Sequence, residues 1–257
     1  MTLDCIIAGK DCKKTWMLGS QDVRSMQGAE ASDNTRKIEM LAQNIIFASA
    51  GTLNTSYDAF LNAKRDIAQY TQPMVKETAY SVYTQLQKEI DHKTFRGQKR
   101  SSTESLNVGV MVAGIDAFGP AIYAIDVNVI GNSDIYRVVV PFCNMGTGSK
   151  TADPTIKKWI QHFGGPNYET PCDCIEMPME KGIECLTYAH LEAAEFTPTV
   201  SPIFKILYLE AGPDGFKSGK VDALPMRKMK KMLEADRKYL KMKLDNPGFV
   251  KNFLKQN

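Results

Sequence analysis

The sequence predicts an α+β fold in which antiparallel sheets are covered by helices on their outer faces. One observation is that candidate strands follow one another in blocks, and a second is that candidate helices stand in blocks between them. A parallel sheet would instead need strands that alternate with helices along the chain. A third observation is the length of 257 residues, which suits one large domain with a sizeable core, alone or with an appendage.

The individual elements follow from hydrophobic periodicity and from turn residues. Short apolar or β-branched runs predict strands at 3–8, 15–19, 45–50, 106–115, 121–129, 136–145 and 203–209, the last of the strands. Apolar side chains at helical spacing predict helices at 56–70, 75–90, 150–160 and 179–196. Polar, glycine and proline residues predict turns and loops at 10–14, 93–105, 118–120, 164–178 and 212–215.

The composition argues against several classes of protein. The net charge of +3 gives no general reason to expect binding to nucleic acid or to membranes. No apolar run approaches the roughly 20 residues that span a bilayer, and the N-terminal segment is too short and too polar for a signal peptide. A soluble, cytoplasmic protein is therefore expected, with a nuclear location open as well if the source is eukaryotic.

The cysteines give no sign of a metal site. Six cysteines in a chain of this length do not make a disulfide scaffold. The close pair Cys172 and Cys174 lacks the second pair or the nearby histidine that a zinc site would add. Reduced thiols in and near a loop are the favoured interpretation, so the sequence predicts neither a metal nor a cofactor.

The C-terminal segment, residues 223–257, differs in character from the domain predicted at 1–222. Its apolar side chains form one helical stripe: Met226, Met229, Met232, Leu233, Leu240 and Leu244. A basic amphipathic helix of this kind can bind calmodulin or a membrane surface. Acidic residues interrupt its basic face, which favours packing of the stripe on its own domain or on a neighbouring subunit.

Four separated motifs contain the residues that could carry chemistry. MLGSQDVRSMQG contains Asp22 and Arg24, and RKIEMLAQNIIFASAG places Lys37 before a strand that ends at Gly51. VMVAGIDAFGPAIYAID reads as a hairpin, and GTGS ends at Ser149. Taken singly, Asp22 and Arg24 indicate a surface or structural ion pair, and Lys37 indicates a solvated lysine. Ser149 alone indicates a helix N-cap.

In this order and spacing, the motifs resemble those of the proteasome β-subunit family over about 2–215, most of the chain. The resemblance implies the four-layer αββα sandwich of the N-terminal-nucleophile (Ntn) hydrolases, with two antiparallel sheets stacked between helices. It also implies a polypeptide substrate and a homo- or hetero-oligomer of proteasome-like subunits. Neither nucleic acid nor a membrane is expected as a partner.

The resemblance further implies a threonine-type peptidase or amide hydrolase whose nucleophile is Thr2, exposed once Met1 is removed. An N-terminal threonine carries its own base, because its α-amino group has an unperturbed pKa of about 7.7–8.0. Lys37 would lower the pKa of the hydroxyl, and Asp22 would keep Lys37 charged and aimed. Ser149 would hydrogen-bond the amine and relay protons.

The same resemblance assigns supporting roles to further residues. The backbone N–H of Gly51 would donate to the oxyanion, and a glycine there leaves room for the substrate. Arg24, Thr147, Gly148 and Ser201 would support the groups around the nucleophile. An active site of this kind is one of the recognised variants of the catalytic triad.

The sequence departs from the family's pattern in three places. The first hairpin is longer, at 11–14, and Leu3 and Asp4 replace a threonine and a small residue. The family's aspartate, which precedes a serine after the last helix, falls near Thr197 or Pro198, where no carboxylate stands. Two alternatives to the hydrolase therefore stay open: a non-catalytic β-type subunit with a role in assembly, and an amide-transferring (transpeptidase) relative.

Overall fold

The strands and helices are taken from a computed structural model. It describes residues 3–11, 14–23, 25–27, 30–32, 37–51, 53–97, 108–127, 133–164, 174–221, 231 and 234–235. Contacts divide the chain into two units, Met1–Lys220 and Val221–Asn257. In the second unit, the described residues Lys231, Glu234 and Ala235 are helical, and the rest of the extension predicted at 223–257 lies outside the described residues.

The first unit contains short strands and longer helices. The strands are β1 (Asp4–Asp11), β2 (Lys14–Asp22), β3 (Ser25–Gln27), β4 (Glu30–Ser32), β5 (Ile38–Ala42), β6 (Ile45–Gly51), β7 (Val108–Asp116), β8 (Gly119–Val127), β9 (Ser133–Val138), β10 (Phe142–Met145), β11 (Ile175–Glu176), β12 (Phe204–Gly212) and β13 (Gly215–Lys220). The helices are α1 (Leu53–Ile67), α2 (Val75–Gly97), α3 (Ser149–Gly164) and α4 (Met179–Phe196).

The strands form two sheets and one small separate hairpin. One sheet has the order β10-β1-β2-β12-β13, with β11 paired parallel to β1 at its edge. The other has the order β5-β6-β7-β8-β9, and all of its pairs are antiparallel. Strands β3 and β4 pair with each other.

The sheets are stacked face to face, and the helices cover their outer faces. Between the sheets lies an apolar layer that includes Ile6, Met17, Ile46, Met111 and Leu207. Helices α1 and α2 pack on the outer face of the second sheet in a separate cluster. Helix α4 lies across β1 and β2, and α3 packs beside α4. The predicted α+β architecture, a four-layer αββα sandwich of two antiparallel sheets, is therefore confirmed.

Helix α4 approaches β2 closely because of one glycine. A Cβ atom added at Gly182 would lie 2.6 Å from Cη2 of Trp16, which is 1% exposed. The indole N–H of Trp16 donates to the carbonyl oxygen of Met177, 2.8 Å away and just before the helix. The large ring thus fills the layer between sheet and helix, and its one polar group is satisfied.

Several predicted segments differ from the observed ones, and the sequence does not predict the short strands β3, β4, β5 and β11. The single strand predicted at 136–145 is two strands, β9 and β10, which belong to different sheets. The break between them contains Pro141, which has no backbone N–H to donate to a ladder. The strand at 203–209 is not the last, because β13 follows it and forms a hairpin with it. The loop predicted to begin at residue 93 begins later, since α2 continues to Gly97.

Among the described residues, no helix is long and apolar enough to cross a membrane.

We predict that Gly182→Ala destabilises the protein by about 1–2 kcal/mol. Alanine ordinarily stabilises a helix interior by about 1 kcal/mol relative to glycine. Here the added methyl group would overpack against the buried Trp16 ring, which costs about 1–3 kcal/mol or more. The free energy of unfolding from urea titration measures the difference. In a Trp16→Phe background the cost should shrink, and an equal cost in both backgrounds would contradict the close contact.

Candidate functional site

A buried carboxylate lies where the end of β2 meets the start of β1. Asp22, the last residue of β2, is fully buried, and its Oδ1 accepts the backbone N–H of Leu3 at 2.8 Å. Its Oδ2 accepts the backbone N–H of Ser201 at 3.2 Å. The ammonium Nζ of Lys37 lies 3.9 Å from Oδ1. We call these four residues the Asp22 cluster.

Lys37 directly precedes β5 and is 3% exposed. The backbone N–H of Lys37 donates to Oε1 of Gln21 at 3.0 Å, and its backbone carbonyl accepts the N–H of Ser49 at 2.9 Å. Burial lowers the pKa of the Lys37 ammonium from its ordinary value, while Asp22 and Asp4 act in the opposite direction. The charge of Lys37 therefore depends on the carboxylates beside it.

The turn from β10 into α3 lies against the start of β1. The N–H and the hydroxyl of Ser149 both donate to the carbonyl oxygen of Gly146, at 3.2 and 2.7 Å. A Cβ atom added at Gly148 would lie 2.8 Å from Cγ2 of Val200 and 3.0 Å from Cβ of Leu3, so a larger residue there would force these neighbours to shift. The hydroxyl of Thr147 lies 3.4 Å from that of Thr199, which connects the turn to the segment before β12.

Ser201 belongs to that same segment before β12. Its hydroxyl accepts the backbone N–H of Ile203 at 3.1 Å, so the side chain shapes a local turn while the backbone binds Asp22. The family's aspartate would fall near Thr197 or Pro198, and the hydroxyl of Thr197 lies 3.3 Å from that of Thr151 on α3. A hydroxyl pair between the two helices thus occurs close to where the family pattern has a carboxylate.

Gly51 ends β6 with a φ of 96° and is exposed. It borders an open cleft of about 500 Å³, which is lined by Ala50, Gly51, Val108, Gly109, Asp126, Val127 and Met145. Met145 is the strand partner of Asp4, so this cleft reaches the start of β1. Burial and the nearby Asp134 raise the pKa of the Asp126 carboxyl.

A larger open cleft of about 830 Å³ borders Ser149. Its charged lining residues are Lys150, Asp153 and Lys157, of which the last two form an ion pair at 2.6 Å. The two clefts therefore lie beside different predicted site residues, Gly51 and Ser149.

The predicted site residues are thus brought together in part. Asp22, Lys37 and Ser201 meet in the Asp22 cluster, while Thr147, Gly148 and Ser149 lie in a turn that contacts Leu3. Gly51 lines a cleft that reaches the same strand end. Thr2 and Arg24 lie outside the described residues, and their roles stay predictions.

Sequence reasoning missed one residue beside the cluster, His190 of α4. Its Nε2 lies 2.8 Å from Oγ of Ser20 on β2, and its ring stacks on Phe204 with centroids 4.7 Å apart. The ring is fully buried, and burial lowers its pKa to about 4 against the opposing effect of Asp22. The signal in the sequence was a histidine on the apolar face of a helix.

Burial keeps the thiols of three described cysteines protonated. Burial raises the pKa of the Cys143 and Cys185 thiols to about 12 and that of Cys5 well above its ordinary value, so these thiols stay protonated. Among the described residues, no group of three or more histidine, cysteine or acidic side chains could hold a metal ion.

Comparisons with known proteins agree with the fold. A model of the proteasome subunit family matches residues 6–166. A helical assembly of the Anbu complex from Pseudomonas aeruginosa is similar in structure, with a TM-score of 0.66, 17% identity and coverage of 94% of this chain and 96% of that chain. A Gly-1 mutant of Anbu from Hyphomicrobium sp. strain MC1 has a TM-score of 0.63, 12% identity and coverage of 96% and 100%. Anbu, an ancestral beta-subunit, from Yersinia bercovieri has a TM-score of 0.63, 14% identity and coverage of 93% and 97%. No curated protein matches the sequence.

We predict that the stability of the protein falls as the pH falls from about 6.5 to about 4, partly through His190. Its folded-state pKa of about 4 lies below the ordinary 6.5, so the unfolded chain binds the proton first. The contribution is complete above pH 6.5 and is lost through this window, by about 3 kcal/mol in all. Urea unfolding at several pH values measures this slope.

The matched control for this prediction is Thr187→Val, because Thr187 is fully buried on the same helix and its side chain does not titrate. His190→Gln should flatten the slope between pH 6.5 and 4, and Thr187→Val should leave it as in the wild type. Equal slopes in the wild type and His190→Gln would show that the imidazole does not stay neutral in the folded protein.

Proposed function

This chain belongs to the proteasome subunit family, and we propose on that premise that it is a threonine-type amide hydrolase acting on polypeptides. The nucleophile would be the hydroxyl of Thr2, exposed by removal of Met1. One observation carries the proposal: in the Asp22 cluster, a buried carboxylate binds the N–H of Leu3 and lies 3.9 Å from a buried lysine ammonium. A nucleophile at position 2 would begin one peptide unit from this cluster.

The chemistry begins with proton transfer within one residue. The Thr2 hydroxyl oxygen would attack the peptide carbonyl carbon while its proton passes to the α-amino group, a base with a pKa of about 7.7–8.0. The carbonyl oxygen becomes an oxyanion, which the N–H of Gly51 would stabilise. The C–N bond then breaks, the leaving amine takes the proton, and water hydrolyses the remaining ester.

Lys37 would contribute as an ammonium ion. A cation close to the hydroxyl lowers the pKa of the nucleophile and favours the neutral amine. Burial works against this charge, because it lowers the pKa of Lys37, while the carboxylates of Asp22 and, to a smaller extent, Asp4 oppose the loss of the proton. Asp22 would therefore act through Lys37 rather than on the substrate.

The longer first hairpin is compatible with this arrangement. The register of β1 and β2 runs without a shift from Asp4 opposite Gln21 to Asp11 opposite Lys14. The extra residues thus lengthen the hairpin at its turn, and the opposite end keeps the bonds between Leu3 and Asp22.

A second candidate function is that of a non-catalytic β-type subunit with a role in assembly. It is favoured by the hydroxyl of Thr197, which contacts Thr151 near the position where the family pattern has a carboxylate. Without that carboxylate, the network around the nucleophile would be altered. In that case the fold and the Asp22 cluster would have only a structural role.

We predict that a β-lactone or epoxyketone probe labels Thr2 and that Met1 is absent from the purified protein. Lys37→Ala and Asp22→Asn should each slow labelling by about a hundredfold or more, because the ammonium beside the nucleophile is lost or deprotonated. Intact mass and peptide mapping measure the adduct and its position.

Lys10→Ala is the matched control, because Lys10 is on the same hairpin but half-exposed and paired with Glu176 at 3.3 Å. It should label at the wild-type rate. Intact Met1, or a free Thr2 amine that does not react with the probe, would reject the hydrolase and favour the assembly role.

We also predict that the protein self-associates. The Anbu protein of Pseudomonas aeruginosa forms a helical assembly, and this chain exposes large apolar side chains on α1, where Tyr57 and Leu61 lie one helical turn apart. Size-exclusion chromatography with light scattering should give a multiple of 28.6 kDa. A clean monomer at micromolar concentration would contradict a proteasome-like particle.

A further inference from the structure

We infer that the buried hydrogen bond between Ser20 and His190 is a positioning element of the candidate site, which ties helix α4 to the end of β2 and fixes the direction of the Asp22 carboxylate. The consequence for reactivity rests on the proposed function, whereas the consequence for the geometry of Asp22 and Lys37 does not.

The hydrogen bonds of Ser20 assign the tautomer of His190. The Ser20 hydroxyl donates to the carbonyl oxygen of Cys5 at 3.4 Å, and it has only one proton to give. With that proton given to Cys5, the hydroxyl accepts from Nε2–H of His190, 2.8 Å away, and we assign the tautomer on this basis. The imidazole is neutral with its proton on Nε2, and Nδ1 is an acceptor. Nδ1 is buried and has no hydrogen-bond partner among the described residues.

The arrangement strongly disfavours a charged imidazole. A proton on Nδ1 would create a buried donor with no acceptor among the described residues, which is costly. The charged group that acts on the ring from the described elements is Asp22 on β2, and its attraction is outweighed by burial. His190 is thus a neutral, directional donor whose one hydrogen bond goes to β2.

The ring also contacts the other strand that holds Asp22. It stacks on Phe204 of β12 at an interplanar angle of 11°, and Phe204 is the direct strand partner of Asp22. Just before Phe204, the hydroxyl of Ser201 accepts the N–H of Ile203, and the N–H of Ser201 donates to Asp22. One side chain of α4 therefore fixes β2 two residues before Asp22 and β12 directly opposite it.

Packing alone would not require this pair. An apolar side chain of similar volume at residue 190 would fill the layer without placing a hydroxyl and an imidazole in it, and polar groups are costly to bury. What the pair adds is direction, because a hydrogen bond at 2.8 Å restricts the position of β2 relative to α4 more than apolar contact does. Asp22, which has a role in the proposed chemistry, stands two residues after Ser20 on β2 and opposite Phe204 on β12.

The test uses two readouts on the full-length protein. The first is the pKa of Lys37, followed by NMR of ¹³C-labelled lysine with Lys37→Arg for assignment. The second is the inactivation kinetics of the β-lactone probe, split into the maximal rate constant and the half-saturating concentration. The first readout needs no activity, so it decides the inference even if Thr2 proves unreactive.

The variants separate the hydrogen bond from packing. His190→Phe keeps the stack on Phe204 and removes the donor, and His190→Gln restores a donor. Thr187→Val is the control, since Thr187 is fully buried on the same helix but its hydroxyl donates only to Ile183 of that helix, at 2.7 Å. Ser20→Ala removes the acceptor with a smaller change and replaces His190→Phe if that variant does not fold.

We expect the Lys37 pKa to fall by about one unit in His190→Phe, because a displaced Asp22 carboxylate opposes the deprotonation of Lys37 less. It should return towards the wild-type value in His190→Gln and stay unchanged in Thr187→Val. The maximal inactivation rate should fall about tenfold in His190→Phe at an unchanged half-saturating concentration. A wild-type Lys37 pKa in folded His190→Phe or Ser20→Ala would overturn the inference.

Discussion

The site depends on the burial of one carboxylate. A fully buried Asp22 cannot be stable as an anion unless nearby groups replace the water it has lost. Those groups include the N–H of Leu3, the N–H of Ser201 and the ammonium of Lys37, which come from three separate parts of the chain. Satisfying this charge therefore brings together the start of β1, the segment before β12 and the segment before β5.

A buried ion pair is a poor means of gaining stability, since apolar residues of similar volume often do as well or better. Lys37 illustrates the tension, because burial lowers the pKa of the ammonium that Asp22 helps to keep. A buried pair such as Asp22 and Lys37 is expected where the function requires a charged group at a fixed position. The neutral His190 and Gly148 also serve to position other groups: His190 holds Ser20 on β2, and Gly148 lets the turn before α3 approach Leu3.

The sequence could predict some members of the site but not how they meet. Asp22, Lys37 and Ser149 lie in motifs whose order resembles that of a known family, and this order was sufficient to predict them as site residues. The hydrogen bond between Ser20 and His190 joins residues 170 positions apart. His190 is a histidine on the apolar face of α4, but nothing in its segment indicates Ser20 as its partner. The same holds for Gly182, whose need to be glycine arises from the Trp16 ring above it. Long-range contacts of this kind leave no local pattern.

By itself, the sequence determined the helices α1 to α4 and the strands β1, β2, β6, β7, β8 and β12, because periodicity of apolar side chains is a local property. It did not predict β3, β4, β5, β11 or β13. It predicted α4 at 179–196 and the strand that ends at Gly51, and the structure has both. Tertiary structure alone decided that 136–145 divides between two sheets and that β13 extends the first sheet. Strand β10 pairs with β1, far earlier in the chain, so its membership of the first sheet is fixed by the backbone groups it pairs with and not by its own residues alone.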